Sequence, residues 1–570
     1  MQYKYTVLTN TMLGALMASI NMNIVLITLP TIFRGLGINP FAPGEFTYLL
    51  WILMGYSIVL ASILVTFGRI SDSYGRVRMY SFGFIIFTIA SILLSIVPGN
   101  SGNNGALALI LLRIFQAVGA GFLMVNSTAL LTDAFPPNER GKALGLNQIS
   151  FVVGSLLGII LGGFLSGYDW HLVFVVNVPF AIAGTYWSLT KLKETSERIK
   201  VPIDVPGNLA LAGAMILVSL GLTYTLEPYK SSQTGWSNPW VIAALTIGII
   251  LLIAFIFIER RVKNPLFNLS LFKIKPFLFG NLSLLLGSLG RGAVMFLVVI
   301  WLQGIYLPLH GFSYTETPLW AGIYMLPMLI GTVIFGPIGG MLTDKHGARP
   351  FATLGMIISA LGFFLLTLLP YNFNLLEFEI VLFIIGIGGG LFASPNTTAI
   401  MNAVSSKDRA SANGMRMTIN NITSTISMAI FFSITITIFS QDLPSAIYNT
   451  SVSLGLPKQL ATFLSQIPPS GALFGAFLGI NPISVIPPNV LSSIPPNVLS
   501  KINSSSFLPN ILGPSFIKGL DLSLFIAIAM SILGTIFSWF MGERYVHEEH
   551  GLISKDTINN VIKEEIPHGK

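Results

Sequence analysis

Eight polar side chains stand inside stretches that are otherwise apolar: Asn21, Asn23, Arg113, Gln116, Arg291, Gln303, Arg416 and Asn420. Their chemistry is recognition. A guanidinium presents a planar fork of donors to an anion, and a carboxamide offers donor and acceptor together. No Asp or Glu accompanies them at depth in the apolar stretches as the sequence delimits them; Asp133 falls just past the end of one. Three arginines without a buried acid favour an anionic or neutral ligand over a cation. An equal reading stands beside it, in which each arginine snorkels into a wet vestibule. Catalysis has little to work with. There is no cysteine, which removes thiolate chemistry and cysteine metal sites together. The six histidines are scattered, and His547 and His550 lack the H-E-x-x-H spacing around Glu548 and Glu549. No G-x-x-x-x-G-K-[ST] phosphate loop occurs. No metal, cofactor or enzymatic activity is therefore expected.

The elements that carry these residues must cross a bilayer. Hydrophobic residues make up 53% of the 570 and charged residues 9%, against roughly 25% charged in a soluble domain. A helix of about 20 apolar residues spans the hydrocarbon core. By that ruler the chain has fourteen spans: 10–32, 48–68, 79–97, 106–131, 143–165, 172–190, 208–225, 240–258, 278–305, 319–341, 351–370, 378–400, 413–439 and 520–541. The first has no small-residue cleavage site behind it and reads as a retained helix rather than a signal peptide. The net charge of +8 invites a nucleic-acid reading, but its placement decides otherwise. With the N-terminus inside, 23 of the 31 Lys and Arg fall in cytoplasmic segments, five outside (Arg34, Lys230, Lys458, Lys501, Lys518) and three within spans. One span more or fewer would scramble that asymmetry. The positive-inside rule thus predicts both termini in the cytoplasm and excludes nucleic acid as a partner.

Two segments repeat. GRISDSYGRVR runs from Gly68 to Arg78 after the second span, and GMLTDKHGAR from Gly340 to Arg349 after the tenth. In the first, Gly68 and Gly75 permit close approach and positive φ, Asp72 can cap or pair, and Arg76 can meet an acid across a gap. Asp344, Gly347 and Arg349 hold the matching places in the second. The fifth span carries Gly145, Gly154, Gly158, Gly162 and Gly163, a spacing that clears one helix face for backbone contact. In the fourth span Arg113 and Gln116 lie one turn apart.

This duplicated loop, with the R-x-x-Q and glycine patterns, resembles the major facilitator superfamily of secondary transporters. DWHLVFVVNVP (Asp169 to Pro179), IDVPG before the seventh span and ERRVKNPLFNLSLF (Glu259 to Phe272) after the eighth resemble its fourteen-span drug:proton antiporter branch, and the likeness covers nearly the whole chain. The resemblance implies an all-α integral membrane protein. Two six-helix bundles, 1–200 and 276–541, would flank an inserted helix pair at 201–275, with a tail at 542–570. It implies that the loops latch the bundles on the cytoplasmic side through Asp72, Arg76, Asp344 and Arg349, and that the glycine motif marks export by antiport. Ile159 replaces the proline expected after Gly158, Ala117 a glycine after Gln116, and His171 an arginine. Asn21 takes the place of an acidic residue in the first span, which leaves the proton carrier unassigned.

The expected function is export of small organic compounds or drugs in exchange for protons, by alternating access. Export of organic anions or neutral metabolites is the alternative, and a non-transporting sensor on the same fold a more distant one. The implied setting is a monomer in the plasma membrane, with a small-molecule substrate, protons and the bilayer as partners. The outer segment 441–518 contains IPPNVLS twice, at 486–492 and 494–500. Its proline pairs predict an irregular cap with short helices at most.

Overall fold

The computed structural model describes residues 3–39, 41–42, 44–194, 202, 204–230, 232–263, 265–405, 409–453, 455–480, 499–500 and 502–542. Fourteen helices are long and apolar enough to cross a membrane. In chain order they are α1 (Tyr3–Leu36), α2 (Glu45–Tyr74), α3 (Arg76–Ser95), α4 (Gly102–Ala134), α5 (Pro137–Ser166) and α6 (Leu172–Val175, continuing as Asn177–Lys191). The pair α7 (Val205–Tyr224) and α8 (Pro239–Arg261) follows. Next come α9 (Lys275–Trp301, running through a π-helical turn, Leu302–Tyr306, to Leu309) and α10 (Thr317–Tyr324, continuing as Leu326–His346). The remainder are α11 (Ala348–Thr367), α12 (Leu375–Asn402), α13 (Arg409–Ser453) and, after two short helices, α16 (Phe507–Trp539). Three of these starts are marked by a side-chain cap. Asp204, Asn238 and Asn374 each accept a backbone N–H of the helix they open, at 2.9, 3.0 and 2.9 Å.

One packing pattern occurs twice. In the first bundle α1 packs on α5, α2 and α3 on α4, and α3 on α6. In the second, α9 packs on α13, α10 and α11 on α12, and α11 on α16. The two repeated loops form the same turn. Gly75 at φ 109° and Gly347 at φ 87° occupy left-handed backbone that a side chain would strain. Their N–H groups close onto the carbonyls of Ser71 (2.9 Å) and Thr343 (2.8 Å). The inserted pair lies along both bundles, with α7 against α2 and α13. Its outward face, with Ile242, Ile249, Ile250 and Ile253 exposed, suits lipid and not water.

At the end opposite the repeated loops, the cap end, the structure departs from expectation. The described part of 441–518 is largely helical: α13 runs on to Ser453 past Pro444, and α16 begins at Phe507 rather than 520. Between them lie α14 (Lys458–Ser465) and α15 (Pro469–Leu478). All ten residues of α15 are buried, wedged among α1, α2, α9, α13 and α16. Burying Leu473, Phe474, Phe477 and Leu478 is worth about 1.5–3 kcal/mol each, and Pro468 and Pro469 stand at the N-cap and first position of α15, where proline suits a helix. The first IPPNVLS copy and most of the second lie outside the described residues.

Glu227, between α7 and α8, accepts the Thr47 hydroxyl of α2 at 2.8 Å. Burial raises its pKa, opposed by that hydrogen bond. A carboxyl raised in the folded state contributes stability in acid that is lost as pH climbs through the raised value. The group keeps partial contact with solvent, so the effect stays below about 1 kcal/mol. Glu227→Gln should flatten this part of the melting-temperature profile in detergent above about pH 4, the ordinary carboxylate value; an unchanged slope would show that Glu227 does not titrate there.

Candidate functional site

The eight polar residues do not form one cluster. Helices α1, α2, α3 and α4 converge on a network in the first bundle. Asn21 Nδ2 and Arg113 Nη1 both donate to Gln116 Oε1, at 2.9 and 2.8 Å, and Gln116 Nε2 donates to Ser91 Oγ at 2.9 Å. The Arg113 guanidinium sits 4.2 Å from the centre of the Tyr56 ring, a cation–π contact in a dry setting. Arg113 is 1% exposed, and Asn21 Oδ1, Tyr56 Oη and Arg113 Nε have no hydrogen-bond partner among the described residues. The sequence did not single out Ser91 or Tyr56, because a serine or tyrosine in an apolar span is ordinary. Asn23, one face round on α1, instead bonds the Ser19 carbonyl (2.9 Å) and Ser155 Oγ (3.2 Å) of α5.

In the second bundle Arg291 lies midway along α9, its guanidinium 5.1 Å from the Phe392 ring centre. Gly287 and Gly389 leave it room: β-carbons there would lie 3.6 and 3.7 Å from its nitrogens. Ser288 donates to Asn420 Oδ1 at 2.8 Å. Arg416 lies two turns into α13 near the loop end and bonds Asn413 Oδ1 at 3.2 and 3.3 Å. Among the described residues no ion pair reaches Arg113, Arg291 or Arg416. Gln303 has another place altogether. It is fully buried, and its Nε2 donates to the Ile27 carbonyl of α1 at 3.1 Å. It ties the bundles together at the cap end, where Arg34 also donates to the Tyr314 carbonyl at 2.9 Å.

The glycines of α5 explain how that end closes. β-Carbons at Gly154, Gly158 and Gly162 would meet the carbonyls of Leu16, Ile20 and Ile24 at 2.6, 2.7 and 3.1 Å, so this face seats the α1 backbone. A β-carbon at Gly163 would overlap the Leu319 backbone of α10, in the other bundle. Only the backbone of Gly145 is described.

At the loop end, Arg76 pairs with Asp72 (2.9 Å) and with Asp133 (2.8 Å), all within the first bundle. Glu194 accepts the N–H groups of Arg76, Val77 and Arg78 at the start of α3, at 3.0, 3.1 and 3.3 Å. Neither Asp133 nor Glu194 was singled out in the sequence, since both fall in polar ends where an acid carries no special signal. Gly68 packs on Val125 of α4. The second copy has diverged: Arg349 stacks on Trp539 at 3.7 Å, and the Asp344 side chain lies outside the described atoms.

Acids at depth were missed. Because α16 starts early, Asp521 is fourteen residues inside it and half-buried. Asp204 and Glu259, at the roots of the inserted pair, are each 3% exposed. The expectation of no buried carboxylate is corrected by Asp204 and Glu259.

Duplicated bundles, a polar midsection and a seal at one end define a membrane transporter. The sequence model of the Major Facilitator Superfamily matches residues 11–207, 200–428 and 310–548, and the chain belongs to that family. It is 29% identical over 76% of its length to the riboflavin transporter RibZ of Clostridioides difficile, covering 88% of that protein. It is 28% identical to multidrug resistance protein 3 of Bacillus subtilis, covering 78% of this chain and 82% of that one. Among solved structures, an inward-facing, occupied bacterial homologue of the human lysosomal transporter Spinster shares the fold, at TM-score 0.55 and 15% identity over 95% of this chain and 97% of that one.

Proposed function

We propose that this protein exports small organic compounds across the cell membrane in exchange for protons, by alternating access. The repeated loops would face the cytoplasm with both termini, and the cap end the outside, the protein working as a monomer. The α5 glycine face carries this reading: it seats α1 within one bundle and meets α10 of the other at the cap end, so a rocking motion of the bundles would make or break that contact. The names of the relatives, multidrug resistance and riboflavin transport, agree with small organic cargo. Asp72, Arg76 and Asp133 would hold the cytoplasmic gate, with Asp344 and Arg349 as the second-half counterparts.

The substrate is anionic or neutral. Arg113 and Arg291 lie at mid-depth, and neither meets a carboxylate in the described contacts; an unpaired guanidinium in low dielectric repels a cation and attracts an anion. The test uses purified protein in liposomes with an internal pH-sensitive dye and an imposed proton gradient. Small organic anions should drive proton flux that Arg113→Ala or Arg291→Ala removes. Flux with lipophilic cations alone would overturn the assigned charge, and no flux with any probe would overturn the exporter reading.

A further inference from the structure

We propose that Asp204 and Glu259 form a proton-binding pair at the root of the inserted helices, one proton shared between two carboxyls. Each acid has one oxygen held by the backbone: Gly207 N–H donates to Asp204 Oδ1 and Phe267 N–H to Glu259 Oε2, both at 2.9 Å. The other oxygens, Asp204 Oδ2 and Glu259 Oε1, are buried and have no donor among the described residues. Both crowd the bare face of Gly207. A β-carbon there would stand 2.8 Å from Glu259 Oε1 and overlap Asp204 Oδ2, so both orphan oxygens face the same small space. Two ionised carboxylates facing each other offer only acceptors and repel. One proton turns that contact into an O–H···O bond and satisfies both orphan oxygens.

Phe255, Leu266 and Phe267 beside the pair belong to an apolar cluster that also takes in Phe277 of α9, Ile400 of α12 and Met415 of α13. Arg260 and Arg261, next along α8, are exposed. The cation that acts on both acids is Arg69 of α2. It donates to the carbonyls of Pro202, at 3.2 Å, and Pro265. These prolines flank the roots of α7 and α8, so Arg69 joins them to the repeated loop, where it follows Gly68. The pair's charge, minus one with the proton and minus two without, therefore sets the attraction that Arg69 and the gate helix α2 experience. Proton binding stands on this geometry alone; its coupling to transport rests on the exporter reading.

The experiment is an infrared difference titration of the full chain in lipid nanodiscs, with the proton as the probe. Glu227→Gln and Asp521→Asn are carried in the parent protein and in every variant, so that no other part-buried carboxyl described above contributes, and in that parent a protonated-carboxyl band should disappear as pH rises. It should be absent from Asp204→Asn and from Glu259→Gln, whose amides can donate to the remaining carboxylate and keep the fold. A double variant carrying both changes lets the two amides bond each other, and it should also lack the band. A parent without a titrating band, or a band that persists in these variants, overturns the pair. Proton-driven flux in liposomes is read in parallel. Flux without the band would sink the pair and leave the exporter; the band without flux would sink the exporter and leave the pair.

Discussion

Gly163→Ala should hold the protein open at the proposed outer side and stop transport, while the first bundle stays folded. The added methyl overlaps the Leu319 backbone of α10 and would also stand 2.8 Å from Leu319 N and 3.0 Å from the Pro318 carbonyl. These are backbone atoms of a packed helix, which cannot turn aside as a side-chain tip could. Overpacking of this kind costs about 1–3 kcal/mol, and here the cost falls on one state only, since the contact joins the two bundles. That corresponds to a roughly 5- to 150-fold loss of the outer-closed population. Gly158→Ala makes the comparison sharp. Its methyl meets Ile20 O at 2.7 Å within the same bundle, so it should lower the melting temperature in every state without opening the outer side. The chain has no native cysteine, so Asn23→Cys supplies a lone label site. An impermeant maleimide should modify it faster in the Gly163→Ala background and at the parental rate with Gly158→Ala. Equal rates in the two backgrounds would remove Gly163 from the outer seal.

Arg113→Met should reduce transport by more than about 100-fold while the melting temperature holds or rises. An arginine at 1% exposure with no carboxylate partner carries a desolvation cost of several kcal/mol that its one hydrogen bond and one ring contact offset only in part. Methionine has similar reach and no charge, and Gln116 Oε1 keeps its donor from Asn21. Removing the cation thus relieves the fold and takes away the group proposed to hold an anion, a trade of stability against function. Arg113→Lys should rescue little, because a point charge cannot reproduce the planar fork over Tyr56. Melting curves and liposome flux on the same preparations decide it. A methionine variant that transports normally, or one that fails to fold, would make Arg113 a structural residue.

Much of the architecture was legible along the chain because lipid imposes it. A span must be long and apolar, and basic loops stay on one side, so counting residues and charges gave the fourteen helices that the structure has. The repeated loops were equally readable, since Gly75 and Gly347 are held by a local requirement for positive φ. The glycine spacing of α5 was visible as a bare helix face, but not what would lie on it. That Gly154, Gly158 and Gly162 take α1 while Gly163 takes the opposite bundle is a fact of tertiary packing.

The polar residues show where reading by depth runs out. Hydropathy placed Arg113, Gln116 and Asn21 inside the membrane, and α1 and α4 had to meet before Asn21 and Arg113 shared one acceptor. Gln303 had the same sequence signature and became part of a seal. Asp204 and Glu259 were passed over because each sits at a helix end, where an acid is usually solvated; the fold of the inserted pair brought both into one dry corner. In the outer segment the short helices α14 and α15 were allowed for, while the running-on of α13 past Pro444 and the early start of α16 were not, since a proline reads locally as a break and only the packing against neighbours decides otherwise. By itself the sequence determined the number of crossings and the duplication, because each follows from local composition meeting a bilayer. Which polar groups meet, which glycine faces which bundle, and where two carboxyls are left to share a proton were decided by tertiary structure alone, because those contacts join residues that no spacing along the chain relates.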